Sequence, residues 1–372
     1  MGKQTYDNFY HYNRNYGCRC REVVYKGYRT LILENEKLRL MIVVDKGTDI
    51  IELLYKPKDI DFMWQSPIDV QAQSRNSLNK ELAGGPFLDL YEGGWQELLP
   101  SITSPTNYKQ MGLGIHGEVY LLPWEYQVVV DDPYEVKVKF TVRMRRSPLF
   151  VTKYITIKSD SSVLEFDETI ENIGDEEFQF MWGHHPAIGK PFLDEDCVID
   201  LPQDAKGQMY QTDFSGSSPF EPNTEYDWPN VPDKAGQMID ISRPMPPESK
   251  TAFNTYIKNL KDGWFGITNL KKQIGFGMQW DINVFKYMLM WAVYRGYYDF
   301  PAYGRTYNLA LEFYSAIPDC LDEVIALGRG LKLMPGEKLN TSFQTIVYES
   351  DRRINGFDGN LDPIKIPLQG DQ

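Results

Sequence analysis

Histidine is scarce in this chain, four residues in 372, so where the histidines stand is informative. His184 and His185 are adjacent, between Gly183 and Pro186. An imidazole with an ordinary pKa of about 6.5 exchanges protons near neutrality. The best acid/base groups of the chain therefore share one short segment. With Gly183, Pro186 and Gly189 in it, 181–193 reads as a bend; if the pair starts on a strand instead, the two rings face opposite sides. Cysteine is equally rare. Cys18, Cys20, Cys197 and Cys320 are too few and too scattered for a disulfide framework, so reduced thiols are expected. One residue separates Cys18 from Cys20 where redox and zinc motifs have two, and no second pair completes a zinc site.

Positive charge is in deficit: 39 Lys and Arg face 52 Asp and Glu, a formal net charge of −13. That argues against a nucleic-acid or anionic-membrane partner, which requires a concentrated basic surface, and a neutral ligand fits better. No apolar run approaches the roughly 18 residues of a membrane span, and residues 1–10 lack a signal-peptide core. The expected place is the cytoplasm. A strong 3.6-residue stripe is also missing, with Leu321–Leu333 the best of several weak helix candidates. No internal repeat is evident.

What is present is period two. Val136, Val138, Phe140, Val142 and Met144 alternate with polar residues across Tyr134–Met144, which predicts a strand with one buried face. Val151–Ile157 and Val163–Ile170 predict a hairpin, and Thr30–Val44, Val128–Val130, Trp264–Thr268 and Ser342–Tyr348 read as further strands. With 29 Gly, 23 Pro and 14% aromatic residues, the expectation is an all-β, large antiparallel β-sandwich, one domain over 1–372. Residues 203–250, rich in Pro, Asp, Ser and Gly, read as a loop excursion lying over one face.

Three motifs carry the polar groups suited to chemistry: Gly114-Ile115-His116-Gly117-Glu118, the Gly183-His184-His185-Pro186 segment, and Leu309-Ala310-Leu311-Glu312-Phe313-Tyr314. Glu312 is a lone carboxylate amid apolar residues. Burial would raise its pKa toward that of a general base, whereas on an edge strand it would be an ordinary wet-face charge. Trp95, Trp182, Trp291, Tyr294, Tyr297 and Tyr298 cluster near these motifs, and aromatic faces rimmed by polar groups suit a sugar. Arg295 and Arg305 flank the tyrosines and could bond its hydroxyls.

The run from Glu171-Asn172-Ile173-Gly174 through Gly183-His184-His185-Pro186-Ala187 resembles the Asn-x-Gly … Gly-x-His-Pro segment of the aldose 1-epimerase (galactose mutarotase-like) superfamily. Ile115-His116-Gly117, Leu311-Glu312 with Pro318-Asp319, and Leu333-Met334-Pro335-Gly336-Glu337 resemble three further motifs of that family, in its order. The resemblance implies a supersandwich fold and interconversion of the α and β anomers of a sugar. It makes Glu312 the base, His185 the acid, and His116 a donor to the developing charge, with His184 in a variable slot. Gly93-Gly94-Trp95-Gln96-Glu97 occupies the place of the family's sugar-binding arginine. The substrate-binding set expected on these grounds is Trp95, Gln96, Glu97, Trp182, His184, Trp291, Arg295 and Tyr298. The partner is a small carbohydrate, and the scheme needs no cofactor or metal. Two alternatives stay open on the residues alone: a carbohydrate-binding sandwich without catalysis, and a cupin-like enzyme holding a metal on His116, His185 and Glu312.

Overall fold

A computed structural model describes residues 14–71 and 86–367. Two large antiparallel sheets dominate it. The larger one runs, in spatial order, through the strands Arg19–Tyr25, Tyr28–Glu34, Leu38–Val43, Asp49–Tyr55, Trp95–Leu98, Gly183–Ile188, Tyr307–Tyr314, Tyr287–Tyr294, Thr251–Lys258, Lys206–Met209 and Glu225–Asp227. The second sheet has eight strands, including the long Glu135–Arg143, Leu149–Lys158, Val163–Asn172 and Lys338–Tyr348. The main core lies between the sheets. There Trp95 packs on Phe166, His184 on Phe343, and Phe313 on Trp280. A second buried cluster, with Trp64, Phe87, Tyr91, Tyr120, Ala187 and Ala310, covers the other face of the larger sheet. A cavity opens there.

Within the alternating 134–144 segment, Glu135–Arg143 is a strand whose apolar positions are buried and whose polar ones are half-exposed or exposed, and Leu149–Lys158 pairs with Val163–Asn172 as the expected hairpin. Thr30–Val44 is not one strand. Asn35 breaks it, because its Oδ1 accepts from the amides of Lys37 and Leu38 at 2.8 and 2.7 Å, a side-chain-built turn that reverses the chain. The Leu321–Leu333 helix stops at Ala326, since Gly328 takes a left-handed φ of 66° as helix-ending glycines do, and Leu331–Leu333 pairs as a strand with Phe178–Phe180.

The histidine segment differs as well. Gly183–Ile188 is a central strand, not a bend. Pro186 has no N–H for the ladder, and the pairing with Tyr307–Tyr314 is interrupted at His185 and Pro186. The 203–250 excursion forms four short strands. Lys206–Met209 and Glu225–Asp227 extend the larger sheet, while Phe220, Tyr226, Val231 and Ile241 join the core. No helix among the described residues is long and apolar enough to cross a membrane.

Candidate functional site

Sheet register aligns the residues of interest. The pairing of His184 with Phe313 and Ala187 with Ala310 sets His185 opposite Glu312. On its other side His185 pairs with Gln96, and Glu312 pairs with Leu289. Facing positions in adjacent strands put side chains about 5 Å apart, so residues remote in sequence meet on the face turned away from the second sheet. His185 Nε2 lies 3.3 Å from Glu312 Oε1, and its Nδ1 is 3.2 Å from the Tyr91 hydroxyl. The other oxygen of Glu312 accepts from the Tyr314 hydroxyl. Tyr314 is two residues along the same strand, so it shares that face.

His116 reaches the site from a loop. Its backbone is left-handed (φ 64°), its amide donates to the Ile102 carbonyl at 2.6 Å, and its ring centroid is 5.0 Å from that of His185. Gly117 beside it admits no side chain: with φ 73°, a Cβ would sit 2.3 Å from the Leu99 carbonyl oxygen. His116, His185 and Glu312 line a cavity of about 270 Å³ walled by Trp64, Phe87, Tyr91 and Trp291. That is near the lower end of the ~300–1,000 Å³ usual for small-molecule sites. Burial drives the groups toward neutrality. It pushes Glu312 well above the usual carboxylate range despite the Tyr314 hydrogen bond, and takes His185 down to about 4. Both shifts favour the uncharged members, a carboxyl beside a neutral imidazole.

The expected substrate-binding set divides along the strands. Gln96 and Trp291 are on the cavity side, Trp291 as a wall and Gln96 through its Oε1, 3.0 Å from His116 Nδ1. Trp95, Glu97, Trp182 and His184 are corrected. Alternation turns them to the inter-sheet core, where Trp182 Nε1 donates to Glu97 at 3.0 Å, Trp95 Nε1 donates to His184 Nδ1 at 3.3 Å, and Lys153 pairs with Glu97 at 2.9 Å. Arg295 is exposed and bonds the Gly304 carbonyl. It lines an outer groove with Arg305 and Lys190, which meets the cavity only at Trp64 and Thr306. Tyr298 is exposed and lines neither.

The set His116, His185 and Glu312 does not gather its ligand atoms as a metal site would. Among the described residues the group that does is Glu97, Glu168 and His184. There the Trp95 N–H points at His184 Nδ1, so in the neutral ring the hydrogen is on Nε2, which faces Glu168 Oε2 at 3.1 Å, and that nitrogen has no lone pair for a metal. Burial, partly countered by Lys153, pushes the Glu168 carboxyl up to about 7, while burial takes His184 down to about 3.

These shifts fix a sign. A carboxyl raised above its unfolded pKa of about 4.3 stabilises fully below that value, and the stabilisation is lost as pH rises to about 7. The lowered His184 contributes above the unfolded value of about 6.5, and its contribution is lost as pH falls toward 3. From about pH 4.3 to 6.5 the two oppose. Glu168→Gln removes the first, so its stability relative to the parent should climb between pH 4.5 and 7 by about 1.4 kcal/mol per unit. Melting curves at four pH values check this, and parallel curves would contradict a protonated Glu168.

Sequence reading missed what lies behind His116. Lys46, buried, bonds Asp49 at 2.8 Å and both oxygens of Glu92 at 2.8 and 2.7 Å. Asp49 in turn accepts from Gln96 Nε2 at 2.9 Å. The available signal was the presence of Lys46, Asp49 and Glu92 beside apolar and glycine-rich strand sequence, where isolated charges of both signs imply pairing. Tyr91, Trp64 and Phe87 carried no signal beyond being aromatic.

The structure resembles several solved ones. A candidate aldose 1-epimerase from Klebsiella pneumoniae superposes with a TM-score of 0.67 at 14% identity, covering 89% of this chain and 84% of that one. A galactose mutarotase-like protein from Clostridium acetobutylicum gives 0.59 at 13%, covering 90% and 99%. A galactose mutarotase related enzyme from Lactobacillus acidophilus gives 0.57 at 15%, covering 91% and 100%. The fold is thus a galactose mutarotase-like antiparallel sandwich. No curated protein matches the sequence. Residues 25–345 match the family model described as "Domain of unknown function (DUF4432)", a span that takes in every strand of the site, and the chain belongs to that family.

Proposed function

We propose that the protein is an aldose 1-epimerase-type isomerase that interconverts the α and β anomers of a neutral sugar, with the whole chain, excursion included, working as one unit. The observation that carries this reading is the His185–Glu312 pair: buried, 3.3 Å apart, and open to an aromatic-walled cavity. Its working form is a Glu312 carboxylate beside a His185 imidazolium. Glu312 takes the proton from the anomeric O1 while His185 gives one to the ring oxygen O5. The C1–O5 bond breaks, C1 becomes an aldehyde, and rotation about C1–C2 presents its other face. Reclosure returns both protons. Each such transfer is worth about 10²–10⁴-fold, and no redox step or cofactor enters. The names carried by structures of this fold support the same chemistry.

Magnetisation-transfer NMR across a panel of aldoses tests it. Accelerated anomer exchange for at least one sugar, undiminished by chelators, is expected. Tight binding with exchange left at the spontaneous rate would favour a lectin-like role. Loss on chelation, restored by one divalent ion, would favour a metal enzyme. The pair also predicts the pH profile. Only its one-proton form works, so kcat/KM should follow a bell whose limbs belong to the pair as a whole. The acidic limb should fall near pH 4, where the second proton binds. The alkaline limb should lie well above the ordinary carboxylate range. An acidic limb near 6.5, that of an unperturbed histidine, would contradict the assignment.

A further inference from the structure

The chain of hydrogen bonds behind His116 leaves that ring one tautomer. A carboxylate only accepts, so Asp49 Oδ2, 2.9 Å from Gln96 Nε2 and 2.8 Å from Lys46 Nζ, fixes which end of the Gln96 amide is which. The NH2 end faces Asp49, and the carbonyl end faces His116 Nδ1 at 3.0 Å. An amide oxygen cannot donate, so Nδ1 carries the hydrogen. Burial, with His185 and Lys46 nearby, keeps the His116 ring neutral, its pKa well below the usual value, and a neutral imidazole has one N–H only. Its Nε2 is then a bare lone pair. That atom has no hydrogen-bond partner among the described residues, and His116 lines the cavity.

We propose that Gln96, anchored by Asp49 and Lys46, is a positioning residue that holds His116 as the Nδ1–H tautomer, so that Nε2 enters the cavity as a hydrogen-bond acceptor. This reverses the role expected from the sequence, in which His116 donates to a developing charge. A donor there would favour an oxyanion. An acceptor favours a substrate hydroxyl, and an analogue lacking that hydroxyl would leave a buried acceptor unpaired, weakening binding by about 5- to 150-fold. The use of the acceptor rests on the sugar-isomerase reading. The tautomer does not.

The test therefore reads the tautomer directly. The full chain is labelled with ring-¹⁵N histidine. With four histidines, the spectrum is simple, and His116→Asn identifies the His116 pair of signals. Between pH 6 and 8, Nδ1 is expected in the protonated shift range with a one-bond coupling to hydrogen, and Nε2 in the unprotonated range. A protonated Nε2, or two signals averaged between the ranges, overturns the proposal. Gln96→Leu removes the acceptor, and the His116 signals should move toward each other as both tautomers become populated, while those of His184 and His185 stay in place. Unchanged His116 signals in that variant would deny Gln96 the role. If Gln96→Leu fails to fold, the parent spectrum still decides. If no aldose is turned over, the isomerase reading falls while the tautomer result stands on its own.

Discussion

Replacing Glu312 with glutamine is expected to slow anomer exchange by about 10²–10⁴-fold without lowering thermal stability. Glutamine has nearly the same shape, and its carbonyl can still accept the Tyr314 hydroxyl that Glu312 accepts now. It carries no charge into a site where burial disfavours one, so the fold has nothing to lose. It also cannot take a proton from O1. His185→Asn should match that loss, because the pair works as a unit and removing either member disables both transfers. His184→Asn should not. That ring lies on the other face of the strand, between Trp95 and Glu168, and its loss strips two buried groups of partners at about 1–3 kcal/mol each. Exchange rates by NMR and melting temperatures for the three variants separate the faces. Equal catalytic losses from His184→Asn and His185→Asn, with equal stabilities, would sink the assignment.

The sandwich was legible because it follows from local patterns, whereas His116, His185 and Glu312 were grouped by the resemblance of their motifs to the galactose mutarotase-like family. Period-two segments such as 134–144 specify strand and buried face together, and Glu312 stands as an exception to an apolar run. Side-chain direction was half legible. Alternation separated His184 from His185 in advance, yet the same rule applied to Trp95, Gln96 and Glu97 would have sent Gln96 to one side and its neighbours to the other. The expectation of one site for all three rests on the place of Gly93–Glu97 in the family resemblance, which carries no information on side-chain direction. Strand neighbours are the residues least able to share a cavity. Arg295 and Tyr298 illustrate the opposite limit: they lie beyond the end of the Tyr287–Tyr294 strand, where no periodicity fixes direction, and both turn to solvent. The charged cluster of Lys46, Asp49 and Glu92 depended on a tertiary meeting of two segments: isolated charges in apolar sequence imply that each has a partner, and local pattern does not say which.

That cluster predicts the largest effect on stability. Lys46→Met keeps the length and apolar stem of the side chain but removes the cation that bonds Asp49 and Glu92. Burial alone would lower the lysine pKa; the two carboxylates outweigh it and hold the amine above its ordinary range. Burial pushes Glu92 up to about 8, with Lys46 the main opposing influence. Without the cation, two carboxyl groups remain enclosed with neither solvent nor counter-charge, and breaking a buried pair from one side costs about 3–5 kcal/mol. Glu92→Gln tests the same balance from the other side, since it leaves one cation facing one anion, and should be neutral or mildly stabilising. Urea unfolding at pH 7.5 measures both, with the midpoint dropping sharply for Lys46→Met at an unchanged slope. A loss below about 1 kcal/mol, the range of an exposed ion pair, would mean that water reaches Lys46, and the anchor proposed for Gln96 and His116 would lose its rigidity with it.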